Sequence, residues 1–180
     1  MHRIVVVGCS GSGKTTLARQ LASRLDFPHM ELDGVYHQPN WEPLPGAEFR
    51  ARVAGFALQP QWVIDGNYTS EGIQELLWPV ADTLVWLDPP KRVVMARVTR
   101  RTMSRWLTRQ EMWNGNREPI TGPFRLNPEK SVIRWAWTRY DHVREKYEEL
   151  LAGTEAVHLR TYRLRTRGEV EVFLASISND

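Results

Sequence analysis

Residues 4–15 constrain this chain more than any other stretch. The apolar run Ile4-Val5-Val6-Val7 leads into Gly8-Cys9-Ser10-Gly11-Ser12-Gly13-Lys14-Thr15, and an amphipathic stretch follows. This is the pattern GxxxxGKT in its required setting, with a strand before it and a helix after it, and it marks a phosphate-binding loop. Glycines let the backbone bend until successive N–H groups point at one spot, where the positive end of the next helix adds its field. Lys14 then reaches the β and γ phosphates of a bound nucleotide, and the Thr15 hydroxyl is placed to ligate Mg²⁺. The expected nucleotide contacts are Gly8, Cys9, Ser10, Gly11, Ser12, Gly13, Lys14, Thr15 and the adjoining Thr16, with ATP and Mg²⁺ as the implied cofactors.

The rest of the chain alternates strand and helix patterns. Residues 3–7 read as a strand, and Ile4 to Val7 within it are wholly apolar and β-branched, as in a central parallel strand buried on both faces. Leu17, Ala18, Leu21, Ala22 and Leu25 make one stripe of a helix over residues 14–25. A second strand is expected over 29–32, with Asp33 just past its carboxyl end, where ligands gather in open α/β sheets. Pro39, Pro43 and Pro45 predict a shaped, non-helical connection over 34–46, followed by a helix over 47–58. Trp62-Val63-Ile64-Asp65 reads as a strand ending in an acid, the form of the motif whose Asp holds the Mg²⁺ hydration shell.

Further on, the pattern predicts a weak helix over 70–78, a strand over 83–87 and a helix from Lys91 through Arg105. Gly115, Pro119, Gly122 and Pro123 break the stretch 106–127, which reads as a mobile cover, since long irregular insertions in compact domains are usually functional. A long helix over 128–151, a fifth strand over 156–159 and a last helix over 169–177 complete the order. Such alternation implies an α/β fold with a five-stranded parallel sheet and right-handed crossovers. The 180 residues form one domain, with 34–60 on the acceptor side and 106–127 as a lid-like insertion.

Composition narrows the class. No window approaches the apolar length a membrane span requires, and Ile4 to Val7 is too short for a signal peptide, so a cytoplasmic location is the expectation. Cys9 is the only cysteine, which excludes an internal disulfide. Its place at a helix N-terminus could acidify the thiol, but a small side chain filling a variable loop position is the simpler reading. The histidines lack metal-ligand spacing, so no zinc site is expected.

Net charge is only +3, yet the basic residues are clustered. Lys91, Arg92, Arg97, Arg100, Arg101, Arg105 and Arg109 follow one another with no acid between them, and Arg160, Arg163, Arg165 and Arg167 form a second group. Such groups clamp phosphates, attract nucleic acid or simply solvate a surface. Arg97 and Arg101, four residues apart, share a helix face.

With these elements in place, the sequence resembles the nucleoside monophosphate kinase branch of P-loop proteins. Asp65-Gly66 after a strand is similar to the Asp-Gly segment of adenylate kinases, and Leu84-Val85-Trp86-Leu87-Asp88-Pro89 followed by Arg97 and Arg101 is similar to their strand and pre-lid helix. It resembles more closely the group known as DNA topology modulation proteins, which are adenylate-kinase-like. That likeness spans essentially the whole chain and lies in Leu32-Asp33-Gly34 leading to Trp41, in Trp62-Val63-Ile64-Asp65-Gly66-Asn67-Tyr68, and in Trp113-Asn114-Gly115-Asn116-Arg117-Glu118.

The resemblance implies a three-layer P-loop fold, Arg97 beside the adenine and Arg101 on phosphate. One departure stands out: no Arg or Lys occurs between Arg52 and Lys91, so the arginine that follows Asp-Gly in adenylate kinases, where it holds the acceptor phosphate, is absent. Arg50 or Arg52 is left to compensate.

Phosphoryl transfer needs alignment of donor and acceptor with cations around the moving group. Lys14, Asp33, Asp65, Arg101, Arg117 and Arg134 are the residues expected to carry it, with Thr15 and Asp65 toward the metal. Asp33 is suited to orient an acceptor hydroxyl as general base. His37 is either a partner of Asp33 in that task or a loop histidine that only hydrogen-bonds, and Tyr36 and Trp41 are candidates for the wall of an acceptor pocket. Two functions follow: a kinase moving the γ-phosphate of ATP to a nucleotide or other small hydroxyl acceptor, or a nucleotide-dependent regulator that binds nucleic acid through its arginine clusters, as the name of the resembling group implies. Placement of the basic residues where a lid needs them, without a helix-turn-helix or zinc-finger pattern, favours the kinase.

Overall fold

A computed structural model of the chain describes residues 1–68, 71–117, 131–154 and 156–177. Five strands, β1 (Arg3–Gly8), β2 (His29–Glu31), β3 (Trp62–Asp65), β4 (Thr83–Leu87) and β5 (Arg160–Leu164), form one sheet in the order β2-β3-β1-β4-β5. Every pairing is parallel. The helices are α1 (Lys14–Leu25), α2 (Leu32–Tyr36), α3 (Gly46–Ala57), α4 (Ile73–Leu77), α5 (Lys91–Thr108), α6 (Val132–Ala152) and α7 (Arg167–Ile177). The expected α/β architecture is therefore present, with helices on both faces.

Period-2 geometry divides β1 between two cores. Ile4 and Val6 face Leu17, Leu21, Phe173 and Leu174 of α1 and α7. Val5 and Val7 face the other way, into a cluster with Phe49, Val53, Trp86 and Tyr147 from α3, β4 and α6. With both faces covered, the central strands can be continuous apolar runs, which is how they read in sequence. A smaller cluster of Cys9, Val94, Val98, Ala136 and Tyr140 seats α5 and α6 against the loop that follows β1.

The fifth strand differs from expectation. It is Arg160–Leu164, while the predicted stretch 156–159 makes a turn. The strand sits at a sheet edge, where only alternate residues need be apolar, so its arginines disguised it as a charge cluster. Arg163 lies with its guanidinium 4.0 Å from the Trp86 ring centroid and donates to Asp88 Oδ2 and Glu148 Oε1. Arg167 pairs with Glu171. The second basic group is thus largely matched by acids.

Smaller differences arise at element ends. β2 stops at Glu31, and Leu32–Tyr36 closes a short helix, so Asp33 stands in a first helical turn rather than in a loop. The prolines act only after it, where Pro39–Trp41 is a 3-10 turn. α5 continues to Thr108, taking Trp106 from the expected cover. Residues 113–115 form a second 3-10 turn, and the remainder of the expected cover, 118–127, lies outside the described residues. α6 begins at Val132 with Ser131 Oγ accepting from the Arg134 N–H, an N-cap that fixes where the helix starts. No described helix is long and apolar enough to cross a membrane.

Candidate functional site

β1 delivers the loop to the carboxyl edge of the sheet at its centre. Gly8 has φ 142° and pairs with Leu87 of β4, and a Cβ there would press into the Leu87 carbonyl and lie 2.8 Å from Ser12 Oγ. Gly13, at φ 106°, occupies the position before α1, a backbone state that other residues rarely adopt. Ser12 N–H closes the turn on the Cys9 carbonyl at 3.0 Å, and the first helical bond is from Leu17 N–H to Gly13 at 3.0 Å. The N–H groups of Gly11, Gly13, Lys14, Thr15 and Thr16 are left without acceptors among the described residues. A ring of donors at a helix N-terminus is a ready anion cradle.

Lys14 has no hydrogen-bond or ion-pair partner among the described residues. Cys9 packs in the cluster with Val94 and Val98, its sulfur 3.8 Å from the Ala136 carbonyl. Burial pushes its thiol up, against the lowering effect of nearby Lys14, so this cysteine is built for packing rather than for reaction.

β3 neighbours β1 and carries Asp65 to the loop. Thr15 Oγ1 donates to Asp65 Oδ2 at 2.7 Å, and His29 Nε2 lies 3.0 Å from Oδ1. Asp65 is 2% exposed. Thr15 Oγ1 is also 3.4 Å from Glu31 Oε1, and Arg19 pairs with Glu31 at 2.9 Å. A hydroxyl and a buried carboxylate in contact are hard oxygen donors of the kind Mg²⁺ takes, so the expected pair Thr15 and Asp65 fits that ion in chemistry and in place. His29 and Glu31 were missed by sequence reasoning. Their relevance depends on β2 lying beside β3, which spacing along the chain does not reveal.

α5 places its arginines over the loop from the opposite side. Arg97 Nη1 donates to the Ser12 carbonyl at 2.9 Å, and Arg101 Nη2 to Ser10 Oγ at 3.1 Å. Arg97, Arg100, Arg101, Ser104, Arg105 and Gln110 line a cleft of about 270 Å³ without an acid in its wall. Arg105 leans over the Trp113 ring, 6.0 Å from its centroid.

On the acceptor side, Asp33 Oδ1 accepts a 2.7 Å hydrogen bond from Tyr68 Oη. Burial, then the charge of Asp33, pushes the Tyr68 phenol far up, so it is a donor at every ordinary pH. Arg50 Nη1 donates to the carbonyls of Glu71 and Gly72, and Arg52 pairs with Glu48 on an exposed helix face. Arg117 lies 3.5 Å from Glu111 and is half exposed, while the Arg134 side chain is exposed and without a partner among the described residues. The structure thus gathers Lys14, Thr15, Asp65, Arg97 and Arg101 at the loop and leaves Arg117 and Arg134 tied to no atom of it.

Two turns of one design face each other beside Asp33. In the first, His37 bridges Pro43, Gln38 N–H donates to the Glu42 carbonyl at 2.7 Å, and Asn40 has φ 62°. In the second, Glu111 bridges Arg117, Met112 N–H donates to the Asn116 carbonyl at 2.7 Å, and Asn114 has φ 56°. Asn116, 4% exposed, accepts from the Trp41 N–H and donates to the Gln38 carbonyl, both at 2.9 Å. Asn114 Nδ2 donates to the Gly34 and His37 carbonyls. The rings of His37, Trp41 and Trp113 fill the join, with centroids 5.3–6.3 Å apart. Tyr36 and Trp41, expected to wall a pocket, each pack edge-on against the His37 ring, with centroids 5.2 and 5.3 Å away.

Burial lowers the His37 pKa, and Asp33 only partly offsets it. The neutral ring is the one that fits, so its contribution to stability is full above the unfolded value near 6.5 and shrinks as pH falls through the lower folded value. Acidification below about pH 6.5 should therefore loosen this join and change the Trp41 and Trp113 fluorescence, a transition that His37→Phe should abolish. An unchanged acid transition in that variant would reject this assignment.

A central β1, a glycine-lined cradle at its end and the strand order 2-3-1-4-5 make a fold that this chain shares with solved structures of kinases. Among solved structures, the chain matches a gluconokinase from Sinorhizobium meliloti 1021 at 19% identity, covering 98% of this chain and 93% of that one with a TM-score of 0.50. It matches a shikimate kinase from Acinetobacter baumannii, in complex with shikimate, at 15% identity, covering 98% and 90% with a TM-score of 0.55. A shikimate kinase from Aquifex aeolicus vf5 aligns at 14% identity over 97% and 95%, with a TM-score of 0.53. No protein-family model matches the chain, and no curated protein matches it by sequence.

Proposed function

We propose that this protein is an ATP- and Mg²⁺-dependent kinase acting on a small hydroxyl acceptor. The observation that carries the reading is the convergence on one cradle of Lys14 and loop N–H groups that have no partner among the described residues, the Thr15–Asp65 pair and the α5 arginines. Mg²⁺, held through Thr15 and Asp65, supplies charge neutralisation on the phosphates when bound. Lys14 and the loop amides bind the β and γ phosphates. Arg101, one helical turn beyond Arg97, faces the charge that develops on the transferring group. The acceptor oxygen forms a bond to the γ-phosphorus as the bond to the β-phosphate oxygen breaks, ADP leaves, and Asp33 takes the hydroxyl proton. Tyr68 occupies one Asp33 oxygen and so aims the other. In this proposal Arg117 and Arg134 supply further cations toward the transferring group.

The nucleic-acid reading, and with it a role in DNA topology, is less well supported by the arginine positions. Arg97 and Arg101 engage the loop, and Arg163 and Arg167 are neutralised by acids. The test is ATP consumption screened against nucleoside monophosphates and small hydroxylated metabolites, with salt-dependent DNA binding measured in parallel. Acceptor-dependent ADP release is the expected result. No acceptor-stimulated turnover together with DNA binding that survives loss of Lys14 would replace the kinase by the regulator.

A further inference from the structure

The segment after Asp65, where adenylate kinases carry an arginine, is occupied here by Asn67, and its contacts give it a different task. β1 and β3 pair as far as Val6 and Asp65, and Gly66 N–H still donates to the Val6 carbonyl at 3.2 Å. The backbone then turns away at Gly66, which has φ 147°. The Asn67 side chain continues the ladder in its place: Oδ1 accepts from the Gly8 N–H at 3.2 Å, and Nδ2 donates to the Gly8 carbonyl at 2.5 Å. A primary amide has one donor and one acceptor edge, so it mimics the peptide group the strand no longer supplies. Gly8 is the first residue of the phosphate loop, and its other side is held by Leu87 of β4.

Asn67 is held in turn. Tyr147 Oη, from α6, donates to Asn67 Oδ1 at 3.1 Å and accepts from Gln74 Nε2 at 3.2 Å. Tyr147 is 1% exposed, with its ring packed 5.7 Å from that of Trp86. Burial pushes its phenol up and keeps it a donor. A buried hydroxyl aimed at a half-buried amide oxygen fixes which way that amide faces.

We propose that Asn67 and Tyr147 are positioning residues for the phosphate loop, coupling α6, the helix that follows the 118–130 segment, to the Gly8 peptide; the proposal rests on the nucleotide-binding reading of the loop. Neither residue touches the nucleotide. They set the direction in which the chain leaves β1, and hence how the loop amides converge.

The test is calorimetric titration of the full chain, well below each variant's unfolding midpoint, with two probes: Mg·ATP and Mg·tripolyphosphate. Tyr147→Phe keeps the ring and its packing and removes only the hydroxyl, so it should fold, and it should weaken both probes by the same factor of about ten. Asn67→Ala should weaken them at least as much. The double variant should bind no worse than Asn67→Ala alone, because Tyr147 acts through Asn67. Loss of thermal stability with unchanged affinity for both probes in Tyr147→Phe, or losses that multiply in the double variant, would overturn the proposal. A parent chain that binds neither probe would instead overturn the reading of the loop itself, and this proposal with it.

Discussion

Replacing Lys14 by alanine should lower acceptor-dependent phosphoryl transfer by about 10²–10³-fold, the range seen when a single preorganised charge-stabilising donor is removed from a water-excluded site. The residue has no hydrogen-bond or ion-pair partner among the described residues, so the substitution removes no polar tie of the fold. Its thermal unfolding should therefore match that of the parent. This combination is diagnostic: a lost ammonium reduces Mg·ATP affinity and turnover while structure is kept. Calorimetry with unchanged Mg·ATP affinity, joined to a coupled assay with unchanged rate, would defeat the kinase reading.

Asp65→Asn should raise the Mg²⁺ concentration needed for half-maximal activity by about 10–100-fold, the cost typical of losing a group that orients a metal site. The carboxylate is held at both oxygens, by Thr15 and by His29, so an amide of the same shape keeps the volume but loses the charge. Nucleotide affinity measured without metal should change far less. Removing a buried carboxylate also removes its desolvation cost, so the variant is expected to fold. An unaltered metal dependence would take Asp65 out of its assigned role.

The parts of this site that were legible in sequence are those whose physics is local. The loop is a contiguous motif, and Arg97 and Arg101 are neighbours by helical period. Asp65 was found because an apolar strand ending in an acid points to the carboxyl edge of the sheet. What stayed hidden depends on elements far apart in the chain. His29 reaches Asp65 only because β2 lies beside β3. Tyr147 reaches Asn67 across 80 residues. The fifth strand was misplaced for a related reason: edge position relaxes the demand for apolar residues, and the ion pairs that absorb Arg163 come from Asp88 and Glu148, which sequence spacing does not link to it. Arg50 and Arg52, considered as stand-ins for the absent arginine, are engaged by carbonyls of 71–72 and by Glu48.

The two facing turns carry a consequence for how such a chain can diverge. Each contributes an asparagine in the left-handed region, and each is closed by its own backbone bridge, yet among the described residues the buried Asn116 draws its partners from both. Residues 37–43 and 111–117 are therefore one heritable unit written in two places. A chimera that imports the second segment from a distant relative, while keeping the first, strands a buried amide and separates the indole pair; an exchange of both together preserves them.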